Sequence, residues 1–553
     1  MLKKMIPALE WMHHYKKSDL SGDLSAGLIV AVMLIPQGMA YAMLAGLPPV
    51  VGLYASTIPL IIYALFGTSR QLAVGPVAMV SLLVLTGVST VAEPGTNEYI
   101  SLTLLLMLMV GVIQFLMGIL RLGFLVNFLS HAVISGFMTA AAIIIGISQL
   151  NDFIGVDLEA DHALMQVWEA MMRITEINPV TLGIGIGSIG LLILFKKYVR
   201  KIPGPIVVVA VSILIVSQLN LERLGLSILG DIPQGLPEFS IPAFSIDAVI
   251  ALLPMALTIS FVGFMESIAM GKSLAAKEKY KIDPNKELVG LGLANVGGSF
   301  FSAYPVTGGF SRSAVNFESG ARTPLASIIT AVLILLTLLF FTGFFYYLPH
   351  AVLAAIIMVA VYGLIDIKEA KHLFKIRSVD GWTWVVTFAA TLVIGIEQSI
   401  LIGVAFSLII FIARSAYPHI AELGYLPQKN VFRNIKRYPE AEVDPQIMIF
   451  RVDASLYFAN MTFLENKLQE RIAEKPDIKW IILDFSGVNA IDAGAIHSLE
   501  EIMESWRQGD IKFLLAGVKG PVMDLLKKAE WDDKYGEQFQ YVSVEDALRG
   551  IGK

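Results

Sequence analysis

Long, nearly uncharged apolar runs recur through the first three quarters of this chain, and they leave few folds open to it. They lie near 24–45, 50–66, 75–91, 100–120, 128–150, 180–197 and 203–219, and again near 247–276, 287–302, 310–320, 322–347, 349–365, 381–397 and 398–415. A helix rises 1.5 Å per residue, so a hydrocarbon layer of about 30 Å takes about 20 residues to cross. That reads as about fourteen spans, with 75–91 and 310–320 too short or too broken to cross fully. Of the 553 residues 56% are hydrophobic and only 16% charged, where a soluble domain is near a quarter charged. Mean hydropathy is +0.69. There is no cysteine, which excludes disulfides and thiolate chemistry. Met1 to Lys17 shows no secretory h-region with a small-residue cleavage site.

Loop charges test the count. If the N-terminus (Lys3, Lys4, Lys16, Lys17) is cytoplasmic, every even-numbered connection should be too. Those connections carry Arg70, Arg121, Lys196, Lys197, Arg200 and Lys201, then Lys272, Lys277, Lys279, Lys281, Lys286 and Arg322, and finally Lys368, Lys371, Lys375 and Arg377. The odd-numbered ones hold Arg173 and Arg223 beside Asp152, Asp157, Glu159, Asp161, Glu169 and Glu176. This bias fits an even number of spans with both termini inside. Removing one span would scramble it.

Four divisions follow: a cytoplasmic N-terminal segment over 1–22, a transmembrane domain over 23–415, a polar linker over 416–445 that starts a soluble domain, and that domain over 446–553. The last reads as strands at Ile447–Val452, Lys479–Phe485 and Lys512–Ala516. Helical patterns lie at Met461–Ala473, Ala495–Arg507, Pro521–Ala529 and Val544–Gly550. Alternating strands and helices predict a small α/β domain.

Four stretches resemble one known family. Pro36-Gln-Gly-Met-Ala-Tyr and the residues after it, through Pro48-Pro-Val-Val-Gly-Leu-Tyr54, look like the first signature of the SulP anion transporters. Gly308-Gly-Phe-Ser-Arg-Ser-Ala-Val-Asn316 resembles their second. Tyr438-Pro-Glu-Ala-Glu442 and Phe450-Arg-Val-Asp-Ala-Ser-Leu-Tyr-Phe-Ala-Asn460 resemble the opening of their C-terminal STAS domain. The resemblance implies an all-α membrane domain of seven plus seven spans in inverted repeats, followed by a small α/β STAS domain. It further implies a core of spans one to four and eight to eleven that carries substrate past a gate, and a homodimer.

The residues themselves support the repeat. The third and tenth segments are both short and both follow breaks, Ser69-Arg-Gln-Leu-Ala-Val-Gly-Pro76 and Thr307-Gly-Gly-Phe-Ser311, seven segments apart. Paired broken helices at matching positions point to a transporter's site, because irregular backbone at membrane depth must be buried in protein or line a wet cavity. The plainer alternative is that Gly and Pro only allow close helix packing, and that Arg312 is a solvated or snorkelling arginine. With the resemblance, Gly75, Pro76, Val77 and Ala78 open the third segment with amides toward an anion, and Phe310, Ser311 and Arg312 open the tenth. A guanidinium stays ionised and can grip an oxyanion with two donors. Gln37 and Tyr41 resemble family positions facing the same cavity; the alternative is helix packing.

Glu266 is the one acid well inside the eighth segment, since Asp247 sits at its start. A carboxylate there costs roughly 2.5–3.5 kcal/mol on insertion scales and calls for a partner or a titration. It reads as a proton carrier, as a sodium ligand, or as a static partner of Arg312. Glu266-Ser-Ile-Ala resembles the proton-linked sulfate and dicarboxylate members, whereas sodium-driven bicarbonate members carry Asp-Ser here. Thr258, Ser260, Thr307 and Ser311 still offer oxygens for sodium.

Other candidates are weaker. His131, in Asn127-Phe-Leu-Ser-His, and Asn295 read as structural polar residues, and Glu397 and Gln398 as parts of a short outside turn. In Ile482-Leu-Asp-Phe-Ser-Gly-Val-Asn-Ala-Ile-Asp-Ala-Gly494, which resembles the strand-loop-helix turn of STAS domains and anti-sigma-factor antagonists, Ala493 stands where the latter carry a phosphorylated Ser or Thr. The domain is expected to dimerise or regulate, with a purely structural role as the alternative. No hydrolase or metalloprotease motif is present, so an enzyme is not expected, nor a cofactor, a metal or nucleic acid. The expectation is secondary active transport of an oxyanion, sulfate first, coupled to protons, in a bacterial inner (plasma) membrane. A sodium-coupled bicarbonate transporter, a C4-dicarboxylate carrier and an anion channel are the alternatives.

Overall fold

The computed structural model describes residues 7–124, 130–160, 162–198 and 203–553. Lys3, Lys4, Asn127, Asp161, Arg200 and Lys201, used above, lie outside them. The chain divides into two compact units, Met1–Ser407 and Leu408–Lys553.

In the first unit a short helix α1 (Ala8–His13) precedes the apolar elements. Span one is α2 (Leu20–Leu44), and span two is broken into α3 (Pro49–Tyr54) and α4 (Ile58–Phe66). Span three is a two-residue strand β1 (Val74–Gly75) followed by α5 (Ala78–Val88). Spans four to seven are α6 (Asn97–Ile119), α7 (His131–Ser148), α8 (Pro179–Tyr198) and α9 (Gly204–Leu219). Spans eight and nine are α10 (Ile246–Lys277) and α11 (Pro284–Ser299). Span ten repeats the third, with β2 (Thr307–Gly308) followed by α12 (Phe310–Glu318). Then come α13 (Leu325–Phe340), α14 (His350–Tyr362) and α15 (Ser378–Val393), and α16 (Ile396–Ala416) begins in this unit and ends in the next. The fourteen apolar runs therefore each become an element. The turn expected at Glu397 and Gln398 instead lies at Ile394–Gly395, where Gly395 takes φ 117°, and both residues fall in the first turn of α16.

Packing sorts the helices. Spans one to four pack against eight to eleven, while six packs with seven, five to seven all pack with twelve, and five packs with thirteen. This is the expected division into core and gate. In the core, α11 and α6 touch backbone to backbone: a Cβ added at Gly111 would stand 2.5 Å from the Val296 nitrogen, and one at Gly292 2.5 Å from the Phe115 nitrogen. Small residues are the usual means of such approach in a membrane, where lipid is as apolar as leucine and packing carries association.

The second unit is a five-stranded sheet in the order β4-β3-β5-β6-β7. Its strands are β3 (Ile420–Leu426), β4 (Val431–Asn434), β5 (Ile447–Val452), β6 (Trp480–Asp484) and β7 (Lys512–Ala516). β5, β6 and β7 are parallel, and β3 is antiparallel to β4 and β5. Alternation sends Met448, Phe450, Ile481, Leu483, Phe513 and Leu515 to one face, under helices α17 (Phe458–Glu474) and α18 (Ala493–Arg507). The same alternation sends Ile447, Ile449, Ile482 and Leu514 to the other face, against Val544 and Ala547 of α20 (Val544–Gly550), which follows α19 (Gly520–Lys528). Parallel strands covered on both faces read as unbroken apolar runs, as these do. The segment over 416–445, read as a linker that also starts the soluble domain, supplies β3 and β4. Its polar and Pro-bearing residues suit an edge strand whose far side is open. At the turn before α18, Asp492 caps the helix through the Ala495 amide at 2.7 Å, and Ala493 offers no hydroxyl.

Gly292→Val should force α11 away from α6 and destabilise the membrane unit by about 1–3 kcal/mol, the usual cost of overpacking. A melting curve in detergent reads this, and an unchanged midpoint would count against the close approach.

Candidate functional site

The site begins where two spans stop being helices. β1 and β2 pair antiparallel, Val74 opposite Gly308 and Gly75 opposite Thr307. Pro76, next in the chain, has no N–H to donate, and Val77 stays extended before α5 begins at Ala78. Gly309 is likewise extended before α12 begins at Phe310. Neither helix start carries a side-chain cap. Two uncapped N-termini, each with orphan amides and a partial positive charge, thus leave a common crossing.

Buried polar side chains hold the crossing in place. Asn295 of α11 grips Val306 from both sides: its carbonyl accepts from the Val306 amide at 2.9 Å, and its amide donates to the Val306 carbonyl at 3.1 Å. It also donates to Gln114 of α6 at 3.1 Å. Ser267 of α10 accepts from the Gly308 amide at 2.9 Å and lies 2.7 Å from the Thr307 hydroxyl. Ser313 accepts from the Ala73 amide at 2.9 Å, and Asn316 donates to the Gln71 carbonyl at 2.9 Å.

Arg312 sits in the first turn of α12, 2% exposed. Its Nη1 donates to the Pro76 carbonyl, across the crossing. Its Nε and Nη2 are buried with no partner. Glycine makes room for it: a Cβ at Gly309 would stand 2.8 Å from Nη2, and one at Gly75 3.4 Å away.

Glu266 is 8% exposed and leaves Oε2 unpaired. Among the described residues it makes no ion pair with Arg312. It lines a small cavity of about 70 Å³ walled by Val133, Ile134, Phe137 and Met138 of α7, together with Phe310. The static pair expected as one alternative is therefore absent from this conformation. Rotation of α10 decides this, turning Glu266 toward the apolar face of span five.

The other expected residues divide. Gly75, Pro76, Val77 and Ala78 are buried at the crossing beside Arg312, Phe310 is half-buried and Ser311 is exposed. Gln37 and Tyr41 are buried on α2, and neither side chain has a hydrogen-bond partner among the described residues. Thr258 and Ser260 donate to carbonyls one turn back, Pro254 at 3.0 Å and Ala256 at 2.6 Å, and Thr307 donates to the Gly263 carbonyl. His131 pairs with Glu369 at 3.3 Å.

Two further buried carboxylates do not stand out in the sequence. Glu287 of α11, fully buried, accepts from Tyr63 at 2.7 Å, from the Thr68 amide at 2.6 Å, from the Thr68 hydroxyl, and from the Ser69 amide at 3.0 Å. Asp23 of α2 accepts from the Arg322 amide at 2.7 Å, the Thr323 amide at 3.0 Å and the Thr323 hydroxyl at 2.6 Å. Each holds a turn next to a broken span. Both lie at the ends of apolar runs, where an acid reads as loop.

Asn295→Leu would orphan both backbone groups of Val306, at about 1–3 kcal/mol for each buried group left unpaired. A lower melting temperature in detergent, larger than that of Ser299→Ala on the same helix, is the expected result; equal effects would mean the clamp is not needed.

Comparisons with known proteins agree with this architecture. Residues 20–387 match the sulfate permease family, and residues 438–547 match the STAS domain. The probable sulfate transporter 4.2 of Arabidopsis thaliana is 41% identical over 568 residues, covering 99% of this chain and 83% of the relative. The chloroplastic sulfate transporter 4.1 of the same plant is 41% identical over 569 residues, covering 99% and 82%. Among solved structures, murine solute carrier 26 family member A9, an anion transporter in its inward-facing state, superposes with a TM-score of 0.93. That match has 26% identity and covers 100% of this chain and 94% of the other. The resemblance carried by residues 36–54 and 308–316 thus extends over the whole chain, which belongs to the sulfate permease (SulP) family with a C-terminal STAS domain.

Proposed function

We propose that this chain is a secondary active carrier of an inorganic oxyanion, sulfate, coupled to protons. The anion binds between the N-termini of α5 and α12, held by Arg312 and by the first-turn amides at Val77, Ala78, Phe310 and Ser311, with Gln37 and Tyr41 completing the pocket. The observation that carries the reading is the Arg312 guanidinium, buried at this crossing with two nitrogens unpaired. Unpaired buried donors are costly, and an oxyanion is the ligand that would use them along with the uncapped helix starts. The sulfate transporters among the relatives supply the choice of anion.

Glu266 serves as the proton site in this reading. Its carboxyl faces the α7 wall, which belongs to the gate. A neutral carboxyl slides past that wall at less cost than a charged one. Spans one to four and eight to eleven move as the core, alternating access past the gate. The STAS unit regulates or dimerises a homodimer in a plasma membrane with both termini on the cytoplasmic side.

Uptake of labelled sulfate into proteoliposomes tests this. An outside-acid gradient should drive accumulation in the wild type with or without sodium. Glu266→Gln should keep counter-flow exchange and lose gradient-driven accumulation. Arg312→Ala should weaken sulfate affinity roughly tenfold or more, the cost of a lost charge-assisted bond. Unchanged affinity in Arg312→Ala would remove the arginine from the site. Accumulation that requires sodium, or that takes labelled bicarbonate instead of sulfate, would overturn the proton-sulfate reading, and conductance far above carrier turnover would make the protein a channel.

A further inference from the structure

A second polar cavity, away from the crossing, has no part in transport as described. It measures about 540 Å³ and is walled by residues 7–14, 67–70 and 280–286, far apart in sequence, together with Pro324. Arg70, Lys281 and Lys286 line it, and among the described residues none of the three has an acid within ion-pair distance. Arg70 is held in place, its guanidinium 4.9 Å from the centre of the Tyr280 ring, and the Tyr280 hydroxyl accepts from the Arg70 amide at 3.0 Å. The same hydroxyl donates to Gln71 at 2.8 Å. Of the two lining acids, Asp283 already caps α11 through the Asn285 amide at 2.9 Å, which leaves Glu10. Three cations against two carboxylates leave a lining of net charge +1, which matches one singly charged anion better than a polyphosphate.

The wall formed by α1 adds a second observation. Trp11 lines the cavity and is pinned by its indole N–H to the Ala64 carbonyl at 3.3 Å, while its neighbours Leu9 and Met12 are exposed apolar side chains. A short helix showing leucine and methionine outward beside a tryptophan, next to lysines and an arginine, has the composition of an interfacial helix. Such residues sit where acyl chains meet headgroups.

We infer that this cavity binds a phosphate-ester group, with Arg70, Lys281 and Lys286 on the phosphate and Leu9 and Met12 beside the acyl chains of the lipid that carries it. The occupied site fastens α1 to the 67–71 turn, which leads directly into β1 and the third span.

Native mass spectrometry of the full chain in detergent, titrated with phosphatidylglycerol, is the test. One tightly held lipid per protomer is expected. The variant combining Arg70→Gln, Lys281→Gln and Lys286→Gln should bind it roughly tenfold more weakly or worse, and Lys281→Arg with Lys286→Arg should bind it nearly as the wild type does. Leu9→Ser with Met12→Ser should weaken the lipid while sparing any binding of inorganic phosphate. If inorganic phosphate alone raises the melting temperature of the wild type but not of the triple variant, while lipid binding is equal in both, the phosphate site stands and its source is soluble. Equal lipid and phosphate binding by wild type and triple variant would overturn the site. So would displacement by sulfate at the concentrations that saturate transport, which would make the cavity a vestibule for substrate.

Discussion

A backbone N–H or C=O that faces hydrocarbon without a partner costs several kcal/mol, and everything at the centre of this membrane unit answers that constraint. Two spans stop halfway, so their backbone groups must be paired by something other than a helix. The β1–β2 ribbon pairs some of them, and Asn295, Ser267 and Ser313 take others at Val306, Gly308 and Ala73. The polar residues scattered through otherwise apolar spans are therefore the hydrogen-bond partners of two interrupted helices. What they leave unpaired is the pair of helix starts and part of one guanidinium.

The two charges of the site are kept apart in this conformation. Arg312 reaches across the crossing to the Pro76 carbonyl, while Glu266 turns to the α7 wall. A direct ion pair would satisfy both groups and leave little for a ligand. Separation leaves two guanidinium nitrogens without a partner on one side and the carboxyl against the α7 wall on the other. The two glycines, Gly75 and Gly309, complete the arrangement by leaving volume for the guanidinium.

Much of this is legible in the residues alone, for physical reasons that also explain where legibility ends. Lipid demands about 20 apolar residues per crossing, so the spans announce themselves, and the Gly and Pro at 75–76 and 308–309 mark the breaks. Partner choice is another matter. Whether Glu266 meets Arg312 or span five depends on the rotation of a long helix, which hydropathy does not encode. Glu287 and Asp23 fall at run ends, where a buried acid and a loop acid look the same. The strands β3 and β4 do not stand out within 416–445, because an edge strand tolerates the polar residues and prolines that also make a linker. The parallel strands of the STAS unit, buried on both faces, were plain.

Asp23 and Glu287 belong to opposite repeats. Asp23, in the first, accepts from residues 299 and 300 positions later in the second, and Glu287, in the second, accepts from residues 219 and 218 positions earlier in the first. Each half therefore lends its buried carboxylate to a turn of the other. During synthesis the first half emerges with the Thr68–Ser69 amides unclaimed and Asp23 unsatisfied, and neither defect is repaired until the second half arrives. Contacts this distant in sequence are slow to close. The two repeats are thereby bound to mature together, and a half produced alone would carry an unpartnered carboxyl and open amides.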